Sequence, residues 1–251
     1  LVTIINISPK NLKVYFIDVG QGDSTFIVTP HKKTILIDGG GSLQENFDVG
    51  KKTLIPYILD RGYTKIDYVF VSHFDLDHVG GVLSVLEELK VGKVIIGKQF
   101  ENSENYKEMI KIASKKKIEI MQLDKEKEIV IDNIKFNILW PDRENIIKEN
   151  NLNNNSLVMK MEYKNFSMLF TGDIEEIAER KIIDTYKNNY DIFKSDVLKV
   201  AHHGSKTSSI NEFLNLVKPK IALIGVGEDN KFGHPSEGVI NNLSNLRGRN
   251  L

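Results

Sequence analysis

The spacing of apolar and polar residues predicts two successive runs of strands, each followed by alternating helices and strands. In the first half, short β-branched runs at residues 12–19, 24–29 and 34–38 are separated by the turn sequences Gly-Gln-Gly-Asp and Pro-His-Lys-Lys. The elements expected next are a helix at 52–61, a strand at 68–71, a helix from Gly80, a strand at 94–96 and a helix at Glu104–Lys116.

The second half repeats this order of elements. Further strands are predicted at Glu119–Leu123, Glu128–Ile131, Ile134–Trp140, 157–163 and 166–171. They are followed by a helix at 174–190, a strand at 197–201, a helix at 208–217, a strand at 221–225 and a helix from Ser236. Because strands and helices bury their apolar sides most simply in layers, the sequence predicts an α/β (α+β) fold with helices outside mixed sheets.

The charge composition excludes a strong electrostatic field of one sign around the whole chain, because Lys plus Arg and Asp plus Glu number 34 each. Nucleic acid or an anionic membrane would therefore have to be held by local charge. No apolar run approaches the roughly 20 residues that span a bilayer, so no transmembrane segment is expected in this chain. The absence of cysteine excludes disulfides, thiolate ligands and cysteine nucleophiles. It leaves the compartment open, with an extracytoplasmic or cell-surface location slightly favoured over a cytoplasmic one.

The densest group of candidate metal ligands lies between the strand at 68–71 and the helix from Gly80. His73, Asp75, Asp77 and His78 fall within six positions there. Imidazole nitrogen and carboxylate oxygen are ligands of zinc, iron and manganese. Four such groups on one connection are difficult to explain by packing, so the sequence predicts a metal site at this position.

Four further candidates follow the ends of predicted strands. Asp173 comes after an apolar strand, where it is a candidate ligand or the N-cap of the next helix. His202 and His203 follow the strand at 197–201, and adjacent histidines are expected to point to opposite sides, one to metal and the other to substrate or solvent. His234 follows the last predicted strand by a loop. Because open sheets gather their sites at the carboxyl ends of strands, these residues are expected to lie together.

Two polar segments are candidates for substrate contact. The segment 145–155 has six asparagines in eleven residues and is typical of a solvated loop, but it leads into Ser156, next to the strand before Asp173. Ser205 and Lys206 precede a predicted helix. Hydroxyls, an ammonium group and backbone amides at this position are expected either to bind an anion or to cap the helix. The basic cluster at 115–117 is interpreted as a solvated helix face.

Six motifs occur in an order that resembles the metallo-β-lactamase-fold hydrolases. They are Phe-Ile-Asp-Val-Gly-Gln-Gly-Asp-Ser at 16–24, Ile-Asp-Gly-Gly at 37–40, Ser-His-Phe-Asp-Leu-Asp-His at 72–78, Phe-Thr-Gly-Asp at 170–173, Val-Ala-His-His-Gly-Ser at 200–205 and Gly-His-Pro-Ser at 233–236. The resemblance covers nearly the whole chain and is strongest to the hydrolase domain of the competence protein ComEC. It implies a four-layer αββα sandwich with a two-metal site at one edge.

The resemblance also implies the ligands of two divalent cations, zinc or manganese. One cation would be held by Asp77, His78 and His203, the other by His73 and Asp75, with Asp173 bridging them. Two cations held in this way activate a shared water for hydrolysis.

Other positions are assigned roles around these ligands. His202 is the expected proton donor or phosphate contact, and Asp77 is counted among the catalytic residues as well as the ligands. Asp38 is expected behind the ligands, where it accepts a hydrogen bond from a histidine or closes a turn. The expected substrate contacts are His234, Ser205, Lys206, Asn155 and Ser156. The residues placed near the site by resemblance, without a catalytic role, are Asp18, Gln21 and Asp23.

Two departures from the family pattern bear on the metals. Asp75 stands where the second histidine of the motif usually lies, and the usual histidine before the bridging aspartate is absent, with Asn154, Asn155 and Ser156 in that region. One metal site therefore gains oxygen character, which weakens zinc relative to manganese and predicts unequal metal affinities. Both departures are in keeping with the ComEC-like branch and argue against a β-lactamase.

The leading hypothesis is a metal-dependent phosphodiesterase, with DNA as the candidate substrate and a nuclease role in DNA uptake. The neutral charge of the chain argues against a DNA groove. A second hypothesis is a surface phosphodiesterase of the phosphorylcholine esterase type, for which an aromatic cage would be diagnostic. A third is a non-catalytic metal-binding module.

Residues 1–251 are interpreted as a single domain of this fold. Relatives continue into a final strand where this chain stops, so a truncated domain with an exposed sheet edge is one alternative. The oligomeric state is left open.

Overall fold

The computed structural model of the protein describes residues 11–42, 47–98 and 103–247. Within these residues the chain forms two six-stranded sheets. The strands of the first sheet are neighbours in chain order: β1 (Lys13–Phe16), β2 (Thr25–Val28), β3 (Thr34–Ile37), β4 (Lys65–Val71), β5 (Lys90–Gly97) and β6 (Glu119–Leu123). The strands β1 to β3 pair antiparallel through short turns, and β3 to β6 pair parallel.

Helices connect the parallel strands of this sheet. Between β3 and β4 lie a wide helical turn at Gly50–Leu54 and α1 (Ile55–Asp60), which has a proline in its first turn. Helix α2 (Leu76–Glu88) joins β4 to β5, and α3 (Glu104–Lys116) joins β5 to β6. The parallel strands therefore all end at the same edge, where β4 passes into α2.

The second sheet follows the same plan of antiparallel strands before parallel ones. Its strands are β7 (Glu128–Ile131), β8 (Ile134–Trp140), β9 (Val158–Tyr163), β10 (Phe166–Phe170), β11 (Val197–Lys199) and β12 (Ile221–Leu223), again neighbours in chain order. Its helices are α4 (Asn151–Asn154), α5 (Glu176–Thr185), α6 (Asn211–Val217) and α7 (Glu237–Arg247). None of the helices in the described ranges combines the length and apolarity needed to cross a membrane.

The two sheets pack face to face around an apolar core. Phe70 of β4 stacks on Phe136 of β8 with ring centroids 5.0 Å apart, and Ile95, Met159 and Phe170 belong to the same cluster. Two further apolar clusters lie on the outer faces, one between the first sheet and α1 to α3, the other between the second sheet and α5 to α7. The layers are therefore helix, sheet, sheet, helix, and the predicted αββα sandwich is confirmed.

Several predicted elements end earlier than their sequence pattern indicates, including the strand predicted at 12–19, which ends at Phe16, and the strand predicted at 221–225, which ends at Leu223. The helix predicted at 174–190 ends at Thr185, and a separate helical turn covers Tyr190–Phe193. The strand predicted at 197–201 ends at Lys199, because the chain then turns through left-handed residues that no strand accommodates.

The asparagine-rich segment is solvated in its first half, where Asn145 and Asn150 are exposed, and packed in its second half, so its interpretation as a solvated loop holds only in part. Asn153, Asn154 and Asn155 are buried, and α4 lies within the segment. The indole N–H of Trp140 donates to the carbonyl of Asn154 at 2.7 Å. Asparagine side chains bond to nearby backbone groups, so a polar segment of this kind can be buried without leaving its amides unsatisfied.

Candidate metal centre

Four of the predicted ligands lie where β4 passes into α2. Because β4 ends at Val71, His73 and Asp75 lie on the connection, while Asp77 and His78 lie in the first turn of α2. Asp75 occupies the N-cap position, but its carboxylate accepts no capping hydrogen bond from the helix. The oxygens of Asp75 are therefore available to another partner.

Asp173 reaches the same edge from the second sheet. It is not a helix cap, since α5 begins at Glu176 and its N-cap residue is Glu175. Its backbone N–H donates to Oγ of Ser156 at 3.1 Å. The preceding Gly172 has a φ of +53°, and an added Cβ would lie 2.6 Å from Cβ of Ser156, so this approach requires glycine. The capping alternative is excluded, and the carboxylate of Asp173 is directed towards the four ligands of the β4–α2 connection.

Three consecutive residues have left-handed backbone conformations: His202, His203 and Gly204, with φ angles of 49°, 52° and 77°. Non-glycine residues in this region are uncommon and strained, and they concentrate at functional sites. The two rings meet edge to face, with centroids 6.3 Å apart and planes at 69°, and their nitrogens have different partners. Nδ1 of His203 donates to the carbonyl of Gly225 at 2.7 Å, which leaves Nε2 as the ligand nitrogen.

The carboxylate of Asp173 lies between two groups of predicted ligands. Its Oδ1 is 3.1 Å from Nε2 of His78, and its Oδ2 is 3.1 Å from Nε2 of His203. On the other side, Nε2 of His73 lies 4.0 Å from Oδ2 of Asp173 and 3.6 Å from Oδ2 of Asp75. The structure therefore brings these predicted ligands into one continuous cluster.

The donors of this cluster fit divalent cations. Oδ2 of Asp77 lies 3.3 Å from Nε2 of His203 and completes the set of six predicted ligands. Nε2 of His73 is fully buried and, among the residues the structure describes, has no hydrogen-bond partner. A buried polar nitrogen without a partner is costly unless a ligand takes it. Nitrogen and oxygen donors in this combination suit zinc or manganese.

Two residues that sequence reasoning did not assign complete the centre. Asp23 has a carboxylate oxygen within 4.8 Å of ligand atoms of His78, Asp173 and His203. Lys199, the last residue of β11, is buried and contacts the carboxylates of Asp23 and Asp173. A signal for Lys199 is present in the sequence, because a lysine inside an otherwise apolar strand needs a buried partner.

Asp38 lies behind the histidines of the first sheet. Its Oδ2 accepts a hydrogen bond from Nδ1 of His78 at 3.0 Å, and its Oδ1 accepts one from the backbone N–H of Ser72 at 2.7 Å. Oγ of Ser72 lies 3.0 Å from Nδ1 of His73. Because Nδ1 of each ring has a partner, Nε2 of each ring is the nitrogen that faces the cluster of ligands. Carboxylates behind metal-bound histidines orient the rings in the same way.

His202 lies beside the cluster and is half-buried. Its Nδ1 is 3.5 Å from Oε1 of Glu175 and 3.5 Å from Oγ1 of Thr207, and its Nε2 is 3.4 Å from Nδ2 of Asn153. The ring of His234 follows, with its centroid 5.7 Å from that of His202. The two predicted contact histidines are therefore neighbours, and Asn153 is a further neighbour that the sequence did not single out.

The other predicted substrate contacts differ in exposure. Lys206 is exposed, whereas Ser205, Asn155 and Ser156 are buried. The side-chain amide of Asn155 bonds to the backbone of Ile147 at 2.9 Å and 2.8 Å, inside its own loop. Ser156 accepts a hydrogen bond from the backbone of Asp173, and the contacts of all four residues with a substrate stay predictions.

The charges of the cluster shift its pKa values. Burial lowers the pKa of His203, but the carboxylates of Asp173 and Asp23 outweigh burial and raise it to about 9. Burial also lowers the pKa of His78, but Asp173 and Asp38 raise it well above its ordinary value. Burial raises the pKa of Asp173, but the two imidazoles hold it well below its usual range. Without metal, both imidazoles are therefore charged near neutral pH, and a bound cation has to displace their protons.

We expect the metal-free protein to lose stability as the pH rises from about 6.5 to about 9. The folded pKa of His203 lies above its unfolded value, so its contribution is complete below pH 6.5 and is lost as the pH rises through 9. The shift corresponds to about 3 kcal/mol in the free energy of unfolding. Metal-loaded protein already has deprotonated ligands and should lack this decline. Urea unfolding of chelator-treated and metal-loaded protein across this range measures the difference.

The buried carboxyl group of Glu179 also makes stability depend on pH, so its effect has to be separated from that of His203. Burial raises its pKa to about 8, although hydrogen bonds from the backbone N–H groups of Ile210 and Ser209 lower it. Its contribution to stability is lost between pH 4.5 and 8 in both forms of the protein, so the difference between the forms cancels it. In chelator-treated protein, His203→Gln should remove the part of the decline that His203 contributes, and an equal decline in both forms of the unmodified protein would contradict the prediction.

The family follows from comparison with known proteins. The sequence matches the family model described as "Metallo-beta-lactamase superfamily" over residues 17–228. The chain belongs to the metallo-β-lactamase superfamily. The matched region contains the six predicted ligands and His202 but ends before His234. Members of this superfamily use divalent metals, in agreement with the donors of the cluster.

Two competence-related proteins contain a region similar to this member of the metallo-β-lactamase superfamily. ComE operon protein 3 of Bacillus subtilis (strain 168) is 34% identical over 239 residues, which cover 91% of this chain and 30% of that protein. Competence protein ComA of Neisseria gonorrhoeae is 27% identical over 226 residues, which cover 90% of this chain and 28% of that protein. The chain thus spans less than a third of the length of these relatives.

A solved structure shows the same metallo-β-lactamase fold. The metallo-β-lactamase fold protein YhfI from Bacillus subtilis superposes with a TM-score of 0.55 at 12% identity, covering 95% of this chain and 93% of that one. At this identity the likeness concerns the fold alone.

Proposed function

We propose that the protein is a metal-dependent phosphodiesterase that uses two divalent cations, zinc or manganese, with DNA as the candidate substrate. The observation that carries the proposal is the position of Asp173. Its oxygens lie 3.1 Å from His78 and 3.1 Å from His203, while Oδ2 also faces His73 at 4.0 Å. A carboxylate shared between two groups of donors is the arrangement that holds a pair of cations close together.

The six ligands divide into two unequal sets. One set is Asp77, His78 and His203, the other is His73 and Asp75, and Asp173 is shared. Bound there, divalent cations would polarise a phosphoryl oxygen and lower the pKa of water so that hydrolysis proceeds near neutral pH. The second set contains a single imidazole, so we expect it to favour manganese over zinc more strongly than the first.

His202 is the residue proposed to protonate the leaving oxygen. Its ring neighbours that of His203, and the carboxylate of Glu175 lies 3.5 Å from its Nδ1, where it orients the ring. Burial lowers the pKa of His202, which makes its protonated ring a stronger acid. His234, beside it, is proposed as a second contact to the phosphate.

The names of the relatives support DNA as the substrate, since two of them are competence-related proteins. The phosphorylcholine alternative requires an aromatic cage. In the described part of the chain, the ring contacts of His202 and His234 include one phenylalanine, Phe232, whose centroid lies 5.7 Å from that of His234. One exposed ring suits stacking on a base better than enclosing a quaternary ammonium. We also propose that the protein acts outside the cytoplasm.

The test measures metal content and phosphodiester hydrolysis on the same samples. Chelator-treated protein is reloaded with manganese or zinc, analysed by mass spectrometry, and assayed with bis(p-nitrophenyl) phosphate and with short single- and double-stranded DNA. We expect two ions per chain and hydrolysis that depends on them. Asp77→Ala and His203→Ala should lose both, whereas the exposed controls Asp184→Ala and His31→Ala should match the unmodified protein.

The outcomes separate the three hypotheses. Bound ions without turnover under either metal would support the non-catalytic metal-binding module, whereas fewer than one ion per chain and no turnover would contradict the metal centre itself. Hydrolysis of a choline phosphodiester together with inert DNA would support the phosphorylcholine alternative instead. Retained activity in His203→Ala would place the metals elsewhere.

A further inference from the structure

A buried lysine lies inside the candidate metal centre. The side chain of Lys199 is 3% exposed, and its Nζ donates to the carbonyl of Gly172 at 3.0 Å and lies 3.3 Å from Oδ1 of Asp173. It also forms an ion pair with the carboxylate of Asp23, whose side chain is 6% exposed. A fully buried ammonium group is costly unless carboxylates compensate it, and here it contacts two.

The partners of Lys199 come from both halves of the sandwich. Asp23 lies between β1 and β2 of the first sheet, whereas Asp173 follows β10 of the second. Oδ2 of Asp23 lies 3.8 Å from Nε2 of His78 and 3.8 Å from Nδ1 of His203. Asp23 is therefore close enough to the ligands to join them if it moved, but its nearest charged partner is the ammonium group.

The charges of the centre show what this ammonium group does. Lys199 contacts Asp23 and Asp173, and the whole centre contains five carboxylates, those of Asp23, Asp38, Asp75, Asp77 and Asp173. Five negative charges and one positive charge leave a net charge of −4, which is the charge that two divalent cations offset. Without Lys199 the same pair of cations would leave a buried negative charge unpaired.

We propose that Lys199 is the internal counter-ion of the metal centre. It neutralises Asp23 and so keeps this carboxylate out of the metal coordination, and through Oδ1 it fixes the orientation of Asp173. Lys199 is thus a positioning residue that sets the number and affinity of the bound ions. The inference rests on the proposed function, because it concerns the same metal site.

A double-mutant cycle tests the proposal, because the two single variants are expected to change the affinity for manganese in opposite directions. Lys199→Met removes the charge and frees Asp23, so manganese should bind about 10- to 100-fold more tightly, and the chelated protein should melt at a lower temperature. Asp23→Asn leaves the ammonium group to compete for Asp173, so manganese should bind about 10- to 100-fold more weakly. The double variant should return to within about threefold of the unmodified protein, because each change cancels the other.

The measurements do not depend on activity. Affinity is obtained by competition with a chelator, stoichiometry by mass spectrometry, and stability by thermal unfolding of metal-free protein. Lys160→Met is the matched control, since Lys160 is also a buried lysine of the second sheet and pairs with Glu162 at 3.1 Å. It should change the melting temperature without changing the affinity for manganese.

The result that overturns the proposal is an unchanged manganese affinity in both single variants, whatever their melting temperatures, because a lysine that only supports the fold would behave like the control. If Lys199→Met fails to fold, Asp23→Asn and the double variant still give different predictions, since manganese should bind more weakly to the first and almost normally to the second. Failure of the proposed function looks different, since the unmodified protein would then bind no pair of ions at all.

Discussion

Replacement of Asp173 by asparagine is expected to abolish metal-dependent hydrolysis, with a loss of about 10³-fold or more in kcat. Asparagine keeps the shape of the side chain but removes the charge that faces His78 and His203 at 3.1 Å on each side. The transition-state stabilisation that a metal pair supplies is several kcal/mol, which corresponds to this factor. Metal content and kcat, measured on the same preparation, check the prediction.

The control for Asp173→Asn is a buried aspartate outside the centre. Asp142 is buried and pairs with Lys125 at 3.0 Å, so Asp142→Asn should lower stability and leave hydrolysis intact. If Asp173→Asn retained two ions and lost less than about tenfold in kcat, a bridging role for this carboxylate would be wrong.

Replacement of His202 by glutamine is expected to lower kcat about 10²–10⁴-fold while both ions stay bound. The expectation follows from the two directions of the adjacent rings: His203 faces the cluster, and His202 faces Glu175 and Asn153. A proton donor matters most when the leaving oxygen is a poor leaving group. The loss should therefore be large for a dinucleotide and small for bis(p-nitrophenyl) phosphate.

Comparison of the two substrates distinguishes a donor from a phosphate contact. Equal losses on both would mean that His202 binds the phosphate and does not protonate the leaving group. His31→Gln is the control, because His31 is an exposed histidine that pairs with Asp132 away from the centre. Loss of a metal ion from His202→Gln would contradict both roles.

Much of the candidate centre was accessible from residue spacing. His73, Asp75, Asp77 and His78 were predicted as ligands because they are close in sequence and lie between a strand and a helix, where local geometry places them together. Mixed sheets with helices outside were also predicted, since amphipathic helices alternating with apolar strands have few other ways to bury their apolar sides, and the resemblance to the family implied the αββα layers. The single-domain limits, the compartment and the identity of the metals stay predictions.

The partners of a buried charge were less accessible. Lys199 was read as part of an apolar strand and Asp23 as a neighbour without a role, because their contact joins two sheets that are distant in sequence. The burial of the second half of the asparagine-rich segment was missed for a related reason. Composition indicates whether side chains are polar, whereas burial depends on whether nearby backbone groups satisfy them, as in Asn155 and Ile147.

Local order along the chain thus accounts for the identity of the donor groups, the strands that present them and the family to which the chain belongs. Folding of the two sheets accounts for the rest: the place of Asp173 between the histidines, the different partners of His202 and His203, and the pairing of Lys199 with Asp23. The physical reason is the range of the interactions. Periodicity and capping act over a few residues, whereas buried charges are compensated by whichever partner the fold brings within contact distance.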